Sequence, residues 1–252
     1  MKNHKPFTII LIMLMALSFA GCRKTPDTSE SVTSTSQSET KVSETPYIQT
    51  DIGSETTADP EPFETMNFGK LEQDENPVNG KDNIVWYVLK RDNGKVLLMS
   101  KYILDCKMMN ENSEDATWKE STLRTWLNGE FFNEAFTAEE QARIIPASLD
   151  NDVNDKVFLL SMEELRQLIP EEQQRCAPYT DCAKTKGANS SDNSARTVTD
   201  EPSFTWWLRA PGASAPRAYY VNENGVPSIA SSSSYANSMK FGVRPVIWMK
   251  EG

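Results

Sequence analysis

Residues 84–99 read IVWYVLKRDNGKVLLM, and this stretch decides the fold. Ile84-Val85-Trp86-Tyr87-Val88-Leu89 is rich in β-branched and aromatic side chains and reads as a strand. Val96-Leu97-Leu98-Met99 is its partner. Between them, Asp92-Asn93-Gly94 supplies the residues tolerant of positive φ that a tight hairpin requires. Strands gathered at the two ends of the domain, with helices between them, argue against a repeating strand–helix–strand sheet.

Working outward, the pattern changes to helix and then back to strand. Ser121 to Leu127 places Leu123, Trp126 and Leu127 on one helical face, and Asn128-Gly129 ends that helix. Thr137 and Glu140 form a capping box that starts a second helix running through Ile144 and Ile145 to Pro146. Val157-Phe158-Leu159-Leu160 reads as a buried strand and leads into a second capping box, Ser161 with Glu164, whose short helix stops before Pro170. Phe204 to Arg209 is expected to be a central strand. Ala218–Val221 and Val226–Ile229 flank Asn224-Gly225 as a second hairpin, and Phe241 to Trp248 closes the chain as one strand. The stretches 187–196 and 231–238 read as surface loops. The expectation is α+β: one compact domain of mixed or antiparallel strands with two to four short helices.

The N-terminus speaks to address. Lys2 and Lys5 precede an apolar run from Phe7 to Ala20, too short for a span of roughly 20 residues but suited to a secretory signal. Phe19-Ala20-Gly21-Cys22 resembles a bacterial lipobox, with Phe19 where Leu is commoner. That implies cleavage before Cys22, acylation of its thiol and a bilayer as partner. Residues 1–21 are thus expected to be a lipoprotein signal peptide. Residues 22–65, dominated by Ser, Thr and Glu, are expected to be a disordered tether, and residues 66–252 the folded domain. Localisation follows: a lipid anchor in the cell membrane of a bacterium, Gram-positive by expectation, facing the extracytoplasmic side.

Charge and composition narrow the function. Removing residues 1–21 takes away two lysines and no acid, moving the formal charge from −10 to −12. Such a chain lacks the basic footprint of a nucleic-acid binder. The single histidine, His4, lies inside the signal peptide, so the mature chain has no imidazole for a Ser-His-Asp or Cys-His centre or a histidine zinc site. Cys106, Cys176 and Cys182 remain after Cys22. Cys176 and Cys182 are near enough in sequence to bridge, and the alternative is three partly buried thiols.

Five motifs occur in a fixed order: WYVL at 86–89, TWKESTLRTWLN at 117–128, DKVFLLS at 155–161, WWLR at 206–209 and GVRP at 242–245. In them the chain resembles an uncharacterised bacterial domain family, domain-of-unknown-function family 6273, over about residues 68–250. The resemblance implies no activity. More distantly, the Trp-rich strand, the hairpin with a Gly turn and the closing Gly-x-Arg strand resemble the C-type-lectin-like fold, including its sulfatase-modifying-factor branch. The sugar-binding calcium motifs and the paired catalytic cysteines of those proteins have no match here, so neither sugar specificity nor that enzymatic activity is implied.

Candidate sites follow from residue chemistry. Arg209 and Arg244 sit in apolar strand contexts, where each is either paired with a carboxylate and backbone carbonyls or faces a cleft for an anionic ligand. Trp206 and Trp207 should point to opposite faces of their strand, one inward and one available to stack on a ligand. Tyr219 and Tyr220 alternate likewise. Asp150, Asp152, Asn154 and Asp155 place hard oxygen donors at near-alternate positions and are the candidate calcium ligands, against the plainer reading of an acidic turn. No other cofactor is implied. Ser100-Lys101 are adjacent but face opposite ways on a strand, and no catalytic residue is assigned. The leading expectation is a membrane-anchored extracytoplasmic lipoprotein whose domain binds a cell-envelope glycan or protein. The alternatives are a cell-envelope enzyme using carboxylate acid–base chemistry and a structural subunit docking a membrane partner.

Overall fold

The computed structural model describes residues 62–149, 153–188, 201–210 and 217–251. They belong to one compact unit spanning residues 55–252. The expected signal peptide, Cys22, residues 22–61 of the expected tether, Asp150 and Asp152 lie outside the described residues, while Thr65, expected as the last tether residue, opens a strand.

Among the described residues the strands are β1 (Thr65–Leu71), β2 (Asp82–Asp92), β3 (Lys95–Ser100), β4 (Asp105–Lys107), β5 (Ile144–Ile145), β6 (Ala147–Leu149), β7 (Val153–Asp155), β8 (Trp206–Leu208), β9 (Tyr219–Val221), β10 (Pro227–Ile229), β11 (Phe241–Val243) and β12 (Val246–Lys250). The α-helical segments are α1 (Thr122–Trp126), α2 (Phe132–Ala135), α3 (Ala138–Arg143), α4 (Met162–Leu168), α5 (Glu172–Arg175), α6 (Asp181–Thr185) and α7 (Tyr235–Ser238). The class is α+β. Among the described residues there are seven short α-helical segments, where two to four helices were expected.

One five-stranded sheet has the order β1-β2-β3-β12-β5, and a second has β10-β9-β8-β11-β4. The quoted hairpin forms as its turn chemistry requires: Asn93 and Gly94 have φ of 49° and 74°, so Asp92 pairs with Lys95 and Lys90 with Leu97. A bulge at Leu89 resets the register. Bringing the last strand, β12, alongside β3 joins the two ends of the domain in one sheet. One face of that sheet, with Trp86, Leu98 and Ile247, packs on the helical layer, where Phe136 stacks on Trp86 at 6.3 Å.

Five local expectations are corrected. The helix starting after Ser121 does not end at Asn128-Gly129: it widens into a π-helical segment, Leu127–Phe131, and continues through α2. The extra residue of the bulge lets Phe131 and Phe132 both reach the core, while the Asn128 amide receives the Lys156 and Val157 N–H groups and donates to the Val157 carbonyl. Ile144 and Ile145 are not helical. They pair with Met249 and Trp248 as an edge strand, because burying β-branched residues on a sheet outweighs extending α3 past its last turn. Val157–Leu160 is buried but ladders only through a single bridge from Phe158 to Val246. Phe241 to Trp248 is two strands in two sheets. Pro245 cannot donate to a ladder, and the break beside fully buried Arg244 lets the chain change sheets. Residues 231–238, expected as loop, include α7. Both capping boxes form as read.

Candidate functional site

Register builds a concavity on one face of the first sheet. Lys90 lies opposite Leu97, Leu97 opposite Trp248, and Trp248 opposite Ile145. Opposed residues share a face, so this row crosses four strands on the sheet face turned away from Trp86 and Leu98. The next row along the same face carries Asp92, Lys95 and Lys250. Ser148 and Leu149 of β6, Phe158 and Leu160, and Glu164, Gln167 and Leu168 of α4 wall the row, leaving a groove of about 520 Å³. That lies within the range of roughly 300–1,000 Å³ typical of small-molecule sites.

The groove is apolar in its floor and charged at one end. Trp248 is half-buried, and the Lys95 ammonium sits 4.7 Å from its ring centroid, a cation–π contact that fixes both groups. Lys95 also approaches Asp92 at 3.8 Å. Glu164 is the one carboxylate among the lining residues. It is engaged: Oε1 accepts from Arg209 Nη2 at 2.6 Å, and Oε2 accepts the Ser161 N–H that completes the capping box.

The residues expected to bind ligand are dispersed. Trp206 and Trp207 are both buried, at 1% and 0% exposure, so the expected outward member of the pair does not exist. The cause is that β8 lies in the middle of its sheet with both faces covered. Trp206 donates its indole N–H to the Arg175 carbonyl at 3.0 Å, and Trp207 donates to that of Lys107 at 2.7 Å. Trp207, Tyr220 and Tyr235 gather around Phe241, with Tyr220 and Tyr235 stacked at 6.4 Å. Tyr219 is half-buried beside them on β9. Arg209 is paired with Glu164 and thereby touches the groove lining.

Arg244 is different. It donates to the carbonyls of Ser100 and Lys101 at 3.1 and 3.2 Å, and its guanidinium carbon lies 4.8 Å over the Trp206 ring. Burial pulls its pKa down to about 10, partly opposed by Tyr87 and Cys176, so it stays charged at neutral pH.

Of the calcium candidates, Asn154 is exposed on β7, while Asp155 is buried and its carboxylate is occupied. It accepts from Trp118 Nε1 at 2.8 Å and from Arg124 Nε and Nη2 at 2.8–3.0 Å. A different acidic cluster emerges: Glu72, Asp74 and Asp82, with one carboxylate oxygen from each within 4.8 Å of the others. All three already accept hydrogen bonds, from Asn76 N–H, Asn79 Nδ2 and Gln73 N–H. Desolvation and the proximity of Asp74 raise the Glu72 pKa, while hydrogen bonds from Asn79 and Asn76 lower that of Asp74. Asp82 arrives from β2, so spacing could not have joined it to the other two.

A smaller cleft of about 200 Å³ is lined by Lys107, Glu111, Thr122, Trp126 and Glu130, with Lys107 Nζ 4.5 Å over the Trp126 ring. The three remaining cysteines, Cys106, Cys176 and Cys182, are free thiols.

Sequence reasoning missed Lys90, Lys95 and Trp248. The two-residue turn at Asn93-Gly94 already places Lys90 opposite Leu97, so that signal was present. The pairing of Trp248 with Leu97 spans the whole domain and had none.

The chain belongs to the family described as domain of unknown function (DUF6273), whose model matches residues 93–251. The match begins in the turn between β2 and β3, although β1 and β2 complete the same sheet. No curated protein and no solved structure matches the chain. No helix among the described residues is long and apolar enough to cross a membrane.

Proposed function

We propose that this protein is a membrane-anchored extracytoplasmic lipoprotein whose domain binds a ligand in the groove over Trp248. The observation that carries the binding reading is the groove itself: a half-buried tryptophan on an aliphatic floor, with polar groups at its rim. The lipobox at Cys22 supports the anchor and the envelope address, and the acidic composition supports a partner other than nucleic acid. The finer fold reading is C-type-lectin-like. It is supported by the closing strand β12 beside β3 and by the Trp-rich strand, Gly-turn hairpin and Gly-x-Arg strand of the second sheet.

The ligand belongs to the cell envelope, a glycan fragment, peptide or lipid. Acid–base chemistry in the groove would need a second carboxylate beside Glu164, and the lining residues hold none. This favours binding over the carboxylate-enzyme alternative.

The test is fluorine NMR of the full-length Cys22→Ala chain labelled with 5-fluorotryptophan, titrated with soluble peptidoglycan fragments, short apolar peptides and alkyl carboxylates. Movement of the Trp248 resonance by one of these classes, abolished by filling the groove with Ser148→Trp, is expected. A silent Trp248 across the whole panel would overturn the assignment. Metabolic labelling with an alkyne-tagged palmitate tests the anchor: label on the natural chain and none on Cys22→Ala is the expected result.

A further inference from the structure

We infer that the groove takes a free single-chain amphiphilic anion, with its alkyl chain along the Leu97–Trp248–Ile145 floor and its carboxylate or phosphate at Lys90 and Lys95. This rests on reading the groove as a binding site and names the chemistry of what enters it.

The floor selects the tail. Leu97, Trp248, Ile145, Leu149 and Leu168 present carbon surface, and the backbone beneath Trp248 is already paired on both sides, with β3 and with β5. A glycan or an extended peptide laid along that floor would bury hydroxyl or amide groups with no partner beneath them, a costly arrangement. An alkyl chain brings no such groups and gains from burial alone. The Leu97–Trp248–Ile145 floor crosses two inter-strand spacings, roughly 10 Å in all, the dimension of a short acyl chain.

The charge distribution selects the head and its direction. Lys90 stands at the β2 end of the row, Lys95 sits one step along the same face, and Lys250 lies opposite Lys95. Ile145 of β5 stands at the opposite end of the row. The one lining carboxylate, Glu164, is neutralised by Arg209, and the Asp92 contact to Lys95 is long and exposed, so it screens little. On a chain of formal charge −10, this is a local positive mouth on an apolar slot. It attracts an anion and repels an alkylammonium ion.

Isothermal titration of the full-length Cys22→Ala chain with octanoate, octyl phosphate, octan-1-ol and octylamine, with Trp248 followed by fluorine NMR, tests this. The two anions are expected to bind and to shift Trp248, the alcohol to bind roughly tenfold more weakly, and the amine not to bind. Lys90→Glu, at an exposed position away from the Trp248 cation–π contact, should weaken both anions about tenfold and leave the alcohol unchanged; an unchanged circular dichroism spectrum confirms folding. Equal binding of anions, alcohol and amine at Trp248 would overturn the charge assignment while leaving the groove as a binding site. No shift of Trp248 by any of the four would overturn the amphiphile, and the glycan and peptide titrations then decide the groove separately. Capture by phosphatidylglycerol vesicles without octanoate binding would also overturn it, in favour of a bilayer surface.

Discussion

Asp155 shows how much a single buried carboxylate organises. It receives the Trp118 indole and the Arg124 guanidinium, tying the segment before α1 and α1 itself to β7. Replacing it with alanine strands two donors in a nearly dry site, so Asp155→Ala is expected to cost about 3 kcal/mol in urea unfolding. Arg244 holds two carbonyls and a tryptophan face at once, which one ammonium cannot do. Arg244→Lys should therefore destabilise by about 2 kcal/mol in the same measurement. The cysteines differ by exposure: burial, reinforced by Asp105, pushes the Cys106 thiol up to about 11, and Cys182 is the most exposed of the three. At pH 8 a thiol reagent should label Cys182 in the native protein and reach Cys106 only after unfolding; prompt native labelling of Cys106 would contradict its burial. Arg244 was legible as a charge in an apolar strand context, whereas Asp155 was read within an acidic, calcium-type stretch and not as a buried charge. Their partners were not legible, because Asp155 and Arg124 are 31 positions apart.

At the scale of elements, local signals worked where the controlling contacts are themselves local. The hairpin at Asn93-Gly94 and the capping boxes at Thr137 and Ser161 close within four residues, and each formed as read. Glu140 goes further: one oxygen caps Thr137 N–H while the other accepts from Gly69 N–H on β1, at 2.8 and 3.0 Å. Glu140→Ala should thus cost more than Thr137→Ala, about 2 against about 1 kcal/mol, in paired thermal melts. Gly225 in the second hairpin has φ of +79°, and a Cβ there would lie 1.9 Å from the Glu172 carbonyl oxygen. Gly225→Ala is expected to cost 2 kcal/mol or more by thermal melt, roughly, from strain and from displacing α5. Elements whose identity depends on a distant neighbour were misread: Ile144-Ile145 becomes strand only because β12 is beside it, and the π-helical widening after Trp126 serves Asn128's grip on residues 156–157.

For the whole molecule, the decisive event is the return of the C-terminal segment to the N-terminal hairpin. It creates the core face of the first sheet and, on the other face, the groove. It also explains why the family match, which begins at residue 93, does not mark a structural boundary. Deleting β1 and β2 should leave an insoluble remainder, since the edge of β3 would be exposed and the core residues Phe68, Ile84 and Trp86 lost; a soluble, cooperatively melting fragment 93–252 would show that the family segment folds alone.

The sequence by itself determined the α+β class, the turn and capping chemistry, the lack of histidine in the predicted mature chain and the family, because these depend on residue identity and on contacts a few positions long. Only the tertiary structure decided that Trp206 and Trp207 are both core, that the last strand divides at Arg244-Pro245 between two sheets, and that Lys90, Leu97 and Trp248 share one face. Those outcomes depend on which strands become neighbours. Burial on both faces of a sheet, and the register between strands 150 residues apart, are properties of packing that no local pattern encodes.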